Sequence, residues 1–91
     1  MTSAEQVRLE LLEEFRQIAR DRVETINLEW IELEKGRNPE VGDSLMRVLH
    51  TLKGEARMMT FPQISQIVHR MEGVIGELRR RNFEEIGRAH V

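Results

Sequence analysis

Apolar residues recur every three or four positions almost from end to end of this chain, and nowhere do they alternate as in a half-buried strand. That pattern restricts the fold to helices packed on helices. In the first stretch Val7, Leu11, Phe15, Ile18, Ala19, Val23, Ile26, Trp30 and Leu33 form one stripe, while Glu10, Glu14, Arg16, Arg20 and Arg22 lie off it as a solvated face. Ser3 with Gln6 suits a capping box and Gly36 suits a stop, which predicts a helix over about residues 4–35. Asn38-Pro39-Glu40 starts a second helix, with a capping side chain, a proline where no N–H is needed and an acid at the positive end. That helix runs over about 39–59, with Val41, Leu45, Val48, Leu49, Leu52, Ala56 and Met59 inward. Pro62 cannot continue it. Thr60 with Gln63 caps a third, over about 62–81, whose core face is Ile64, Ile67, Val68, Met71, Val74, Ile75 and Leu78. Asn82 with Glu85 opens a fourth, over about 83–90, in which only Phe83, Ile86 and Ala89 precede Val91. The expectation is an all-α, antiparallel up-down bundle, one domain over residues 1–91, with a short or truncated last helix.

Ninety-one residues are near the lower limit for an independent core, so a second domain is not expected. A net charge of -2 gives no global attraction to nucleic acid or anionic membrane, which leaves electrostatic steering to local patches. The absence of cysteine removes thiolate chemistry and disulfides and agrees with a cytoplasmic protein. Neither a secretory leader pattern nor an apolar run of about 18 residues is present, so no membrane insertion is expected.

The chemistry concentrates in Leu49-His50-Thr51-Leu52-Lys53-Gly54-Glu55-Ala56-Arg57. With the leucines inward, His50 falls on the opposite side with Arg47, Lys53, Gly54 and Arg57, its neighbours at i−3, i+3, i+4 and i+7. Glycine inside a helix costs about 1 kcal/mol relative to alanine. A bare backbone beside His50 would let another protein's surface reach the imidazole. On the third helix His69, Glu72, Gly73 and Gly76 make a comparable stripe. Two antiparallel neighbours could turn His50 and Lys53 toward His69 and Glu72. A carboxylate bonded to one imidazole N–H fixes the tautomer and makes the other nitrogen the better nucleophile. A lysine nearby supplies positive charge to an incoming phosphoryl group.

His50-Thr51-Leu52-Lys53-Gly54, together with His69-Arg70-Met71-Glu72, resembles the histidine-phosphotransfer family, and is similar to the N-terminal phosphotransfer domain of chemotaxis kinases of the CheA type. The resemblance covers about residues 5–81. It implies that His50 is the phosphoryl acceptor, that Lys53 assists, that His69 and Glu72 support the site, and that Arg47, Gly54 and Arg57 face a partner. It further implies a two-component, chemotaxis-like pathway in which a separate histidine-kinase ATP-binding domain loads His50 and a receiver-domain aspartate unloads it. ATP and magnesium would belong to those partners, with no cofactor in this domain. No glycine-rich nucleotide loop is present, so the chain alone is a substrate and relay, although its parent would be a CheA-like kinase. Three departures stand out. Glu55 replaces a residue that is usually small, which could bring negative charge near the site. The turn Met58-Met59-Thr60-Phe61-Pro62 lacks the usual glycine. The family's complete fourth helix is cut short here, which implies a parent protein continuing into further domains.

Other chemistries fit less well. A di-metal bundle needs matching carboxylate and histidine pairs on several helices, and the first helix's apolar stripe carries none. Single-strand nucleic-acid binding needs stacking aromatics among basic residues, but aromatics are 4% of the chain. Arg79-Arg80-Arg81 reads as the basic end of the third helix complementing its dipole, and His90 as a bystander near the terminus. A non-catalytic helical interaction or dimerisation module is the remaining alternative. With a curtailed fourth helix, Val7, Leu11 and Phe15 would border an uncovered groove, and the chain is expected to self-associate.

Overall fold

The computed structural model describes residues 2–36, 38 and 40–81. The expected fourth helix over 83–90 and the assignment of Pro39 to the first helical position lie outside them. The described residues form three helices: α1 (Ser3–Glu34), α2 (Glu40–Met58) and α3 (Pro62–Arg80). Among them, α2 is central and packs against α1 on one side and α3 on the other. Both packings are antiparallel, because contacts run in opposite order along the paired helices. Arg22 meets Glu55 while Glu29 meets Ser44, and Asp43 meets Arg79 while Lys53 meets Glu72.

Leu45, Leu49, Leu52 and Ala56 of α2 are the centre of the core, with Phe15, Ile26 and Leu33 from α1 and Val68 and Ile75 from α3. Phe15 stacks on Phe61 with ring centroids 5.3 Å apart, which joins α1 to the turn between α2 and α3. The buried strip of α1 is narrower than the sequence pattern predicts. Val7, Leu11, Ile18 and Val23 are exposed, and so are Ile67, Met71 and Val74 on α3. At 1.5 Å per residue α1 is about 48 Å long against about 29 Å for each of the other described helices, so its N-terminal part runs past both of them. Where α1 does pack, the inward positions include Leu12, Phe15, Ala19, Arg22, Ile26, Glu29, Trp30 and Leu33. Two are charged. Arg22, expected on the solvated face, makes two hydrogen bonds to the Glu55 carboxylate at 3.1 and 3.3 Å. Glu29 accepts a 2.6 Å hydrogen bond from the Ser44 hydroxyl, so the first helix does turn one carboxylate inward.

The helix ends correct two further expectations. The cap of α1 is Thr2 rather than Ser3, since the Thr2 hydroxyl accepts from the Glu5 N–H at 3.1 Å. Gly36 ends that helix as predicted, with φ of 67°. On α2, Asn38 Oδ1 accepts from the Glu40 N–H at 3.0 Å. Thr60 does not cap α3. It takes the left-handed conformation, φ 58°, at the end of α2. The N–H of Phe61 bonds the Ala56 carbonyl at 2.8 Å and that of Thr60 bonds the Arg57 carbonyl at 3.0 Å, the paired bonds of a Schellman ending. The threonine therefore stands in the conformation that a glycine in this turn would take without strain, and α3 begins at Pro62 with no side-chain cap.

Candidate functional site

Because α2 and α3 run antiparallel in register, His50 and Lys53 come opposite Glu72. Glu72 belongs to the face of α3 that also carries Ser65, Val68 and Ile75, all buried against α2. Its side chain is 13% exposed, whereas that of His50 is 74% exposed. The Glu72 carboxylate thus lies beneath the imidazole. His50 Nδ1 is 3.5 Å from Glu72 Oε2, an ion-pair contact a few tenths of an ångström longer than an ordinary N–H···O bond. On the other oxygen, the Lys53 ammonium stands 2.7 Å from Oε1 in an ionic contact whose angle leaves Oε1 without a directed hydrogen bond. Lys53 is itself only 13% exposed.

Burial alone would push the Glu72 carboxyl up. The charge and contact of Lys53, and then of His50, outweigh it and hold the group below its ordinary value. Glu72 is therefore an ionised carboxylate at neutral pH. It can hold a proton on Nδ1 of His50 and leave Nε2 as the solvent-facing lone pair. The arrangement can present a nucleophilic nitrogen to a phosphorus atom and stabilise the positive charge that develops on the ring. On the N-terminal side of His50 lies an open depression lined by Asp43, Met46, Arg47, His50, Thr51, Glu72 and Arg79. Across its far wall Arg79 bonds Asp43 at 2.6 Å and ties the start of α2 to the end of α3.

The other candidate residues divide. Arg47 is exposed on the wall of this depression. Gly54 is exposed one turn beyond His50, and a Cβ there would meet nothing within 4 Å. No packing within the described chain requires that glycine. Arg57 borders a separate depression with Thr60, Phe61, Pro62, Ser65 and Gln66. His69 is exposed, and no hydrogen bond or ion pair joins it to His50, Lys53 or Glu72. Glu55 does not point at His50; its carboxylate is turned to α1 and neutralised by Arg22. Sequence reasoning missed the Asp43–Arg79 bridge, whose signal is two opposite charges at matching positions of antiparallel helices. Among the described residues no three histidine, cysteine or acidic side chains cluster as a metal would need. No helix among them is long and apolar enough to cross a membrane.

Comparison with known proteins agrees with this geometry. The family model described as Hpt domain matches residues 10–89. A gliding motility regulatory protein of Myxococcus xanthus is 37% identical over 71 residues, 78% of this chain and 9% of that protein. The chemotaxis protein CheA of Halobacterium salinarum is 35% identical over 74 residues, 80% of this chain and 11% of that protein. CheA of Listeria monocytogenes is 31% identical over 74 residues, 80% of this chain and 12% of that protein. The chain thus spans about a tenth of the length of these relatives. No solved structure matches it.

Proposed function

The chain belongs to the Hpt domain family, and from that membership we propose that it is the phosphoryl carrier of a two-component pathway of the chemotaxis type, with His50 as the acceptor. One observation carries the choice of residue: an exposed imidazole with Nδ1 over a buried carboxylate that a lysine holds ionised. In loading, the Nε2 lone pair of His50 bonds the γ-phosphorus of ATP held by a histidine-kinase domain. The bond from that phosphorus to the bridging oxygen breaks, and its electron pair leaves with ADP. The Nδ1 proton stays on the ring, where Glu72 offsets the positive charge. In unloading, a carboxylate oxygen of a receiver-domain aspartate bonds the phosphorus, and the P–N electron pair returns to Nε2.

The covalent chemistry asked of this chain is confined to one nitrogen, and its contribution is position and charge. ATP and the divalent cation belong to the partner domains, and the relay operates in the cytoplasm where ATP is available. Gly54 leaves the approach to His50 open on its C-terminal side.

The test is phosphorylation by a CheA-type ATP-binding domain, followed by intact mass. The native chain gains one phosphoryl group, labile in acid and stable in base. His50→Gln gains none while its helicity is unchanged, because the side chain is exposed. Undiminished phosphorylation of that variant overturns the assignment of His50, and a native chain that gains no phosphoryl group leaves a helical interaction module.

A further inference from the structure

Three cations stand around His50, and two are already engaged. Lys53 lies 2.7 Å from Glu72 and is mostly buried. Arg79 lies 2.6 Å from Asp43. Arg47 is exposed and, among the described residues, takes part in no hydrogen bond or ion pair. The depression beside the imidazole lies on its Arg47 side: Asp43, Met46, Arg47 and Arg79 line it, and Lys53 does not. Helix geometry explains the asymmetry. Side chains lean toward the helix N-terminus, so the His50 ring overlies the turn that holds Met46 and Arg47 and leans away from Lys53. With Nδ1 turned to Glu72, the open nitrogen is Nε2.

We infer that Arg47, rather than Lys53, binds the oxygens of the phosphoryl group carried on His50, and that Lys53 is a positioning residue for Glu72. This rests on the carrier reading above and assigns the roles within it. A guanidinium offers a planar pair of N–H donors that matches two phosphoryl oxygens, and a free one loses no existing partner in doing so. Lys53 could reach the same oxygens only by leaving Glu72, which would strand a buried carboxylate. The division of work follows from that cost. Lys53 keeps Glu72 charged, Glu72 sets the imidazole, and Arg47 meets the group when it arrives.

The experiment loads the whole chain with phosphoramidate, whose P–N bond breaks to release ammonia as Nε2 bonds the phosphorus, so no partner protein is involved. Phosphorus NMR then reads the second ionisation of the phosphoryl group in the native protein, Arg47→Ala, Arg47→Lys and Lys53→Gln. Asp43, Glu72 and Arg79 face the group in every variant, so their contributions cancel between the native chain and the Arg47 variants. Arg47→Ala is expected to raise that ionisation by about half a unit, the size of losing one partly solvated cation at about 5 Å. Arg47→Lys should restore part of the shift, and Lys53→Gln should slow loading while moving the ionisation less than Arg47→Ala does. An Arg47→Ala protein that loads and titrates like the native chain overturns the inference and leaves the carrier role standing, as does a larger shift in Lys53→Gln. A native chain that gains no phosphoryl group at His50 overturns both.

Discussion

At the scale of single residues the site depends on where one carboxylate is placed. Glu72 lies on a face that otherwise buries Ser65, Val68 and Ile75, and a charge there is tolerated because Lys53 is mostly buried with it. Its folded carboxyl titrates below the value of the unfolded chain. On acidification the unfolded chain takes up this proton first, so the stability Glu72 contributes is full above the ordinary carboxylate range and is lost as pH falls through the lowered folded value. Urea melts of the native chain and Glu72→Gln at a series of pH values should therefore converge at the acid end and diverge toward neutrality. Parallel curves would show that the carboxylate is not held ionised by its partners. The sequence placed His50, Lys53 and Glu72 together because spacing along two antiparallel helices suffices for that. It also grouped His69 with them, and periodicity does not say which of two polar residues one turn apart reaches across. The structure turns Glu72 to the neighbour and leaves His69 exposed.

At the scale of elements, periodicity located all three described helices but drew the buried faces of α1 and α3 too wide. Arg22 and Glu29 stand at inward positions of α1 where a hydropathy pattern expects apolar side chains, and each finds its partner on α2. Pairings between helices cannot be read along one of them. The turn before α3 shows the same limit. Thr60 followed by Gln63 resembles a cap, yet the residue is needed one step earlier, in left-handed backbone that closes α2. A β-branched residue is strained there by about 1–2 kcal/mol, and glycine offsets part of its advantage through greater freedom in the unfolded chain. Thr60→Gly is thus expected to raise stability by about 0.5–1 kcal/mol in chemical denaturation, with the slope unchanged. Destabilisation of that size would mean that the bond from the Thr60 hydroxyl to the Met59 carbonyl, 2.7 Å, contributes more than the strain costs.

At the scale of the whole molecule, α1 packs on α2 and not on α3 among the described residues, so the apolar side chains of the outer faces meet water. Ile67 is 59% and Val74 60% exposed beside Trp30, and Val7 and Leu11 are about half exposed farther along α1. Each such side chain forgoes part of the roughly 1.5–3 kcal/mol that full burial would contribute, and a net charge of -2 opposes association only weakly. We predict that the 91-residue chain self-associates as its concentration rises, with a second copy covering one of these faces. Sedimentation equilibrium would show an average mass increasing with concentration; a strictly monomeric chain at high concentration would mean that these faces are covered within one molecule.

His50 carrying a phosphoryl group on Nε2 while Glu72 holds the proton on Nδ1 is a state that nitrogen NMR of the imidazoles reads in one measurement. After loading with phosphoramidate, one histidine should show coupling of phosphorus to Nε2, a protonated Nδ1, and a resonance that disappears in His50→Gln. Before loading, the same residue should favour the Nδ1–H tautomer, and Glu72→Ala should abolish that preference. Phosphorus coupled to Nδ1 of His50, or to a nitrogen of His69 or His90, would contradict the account.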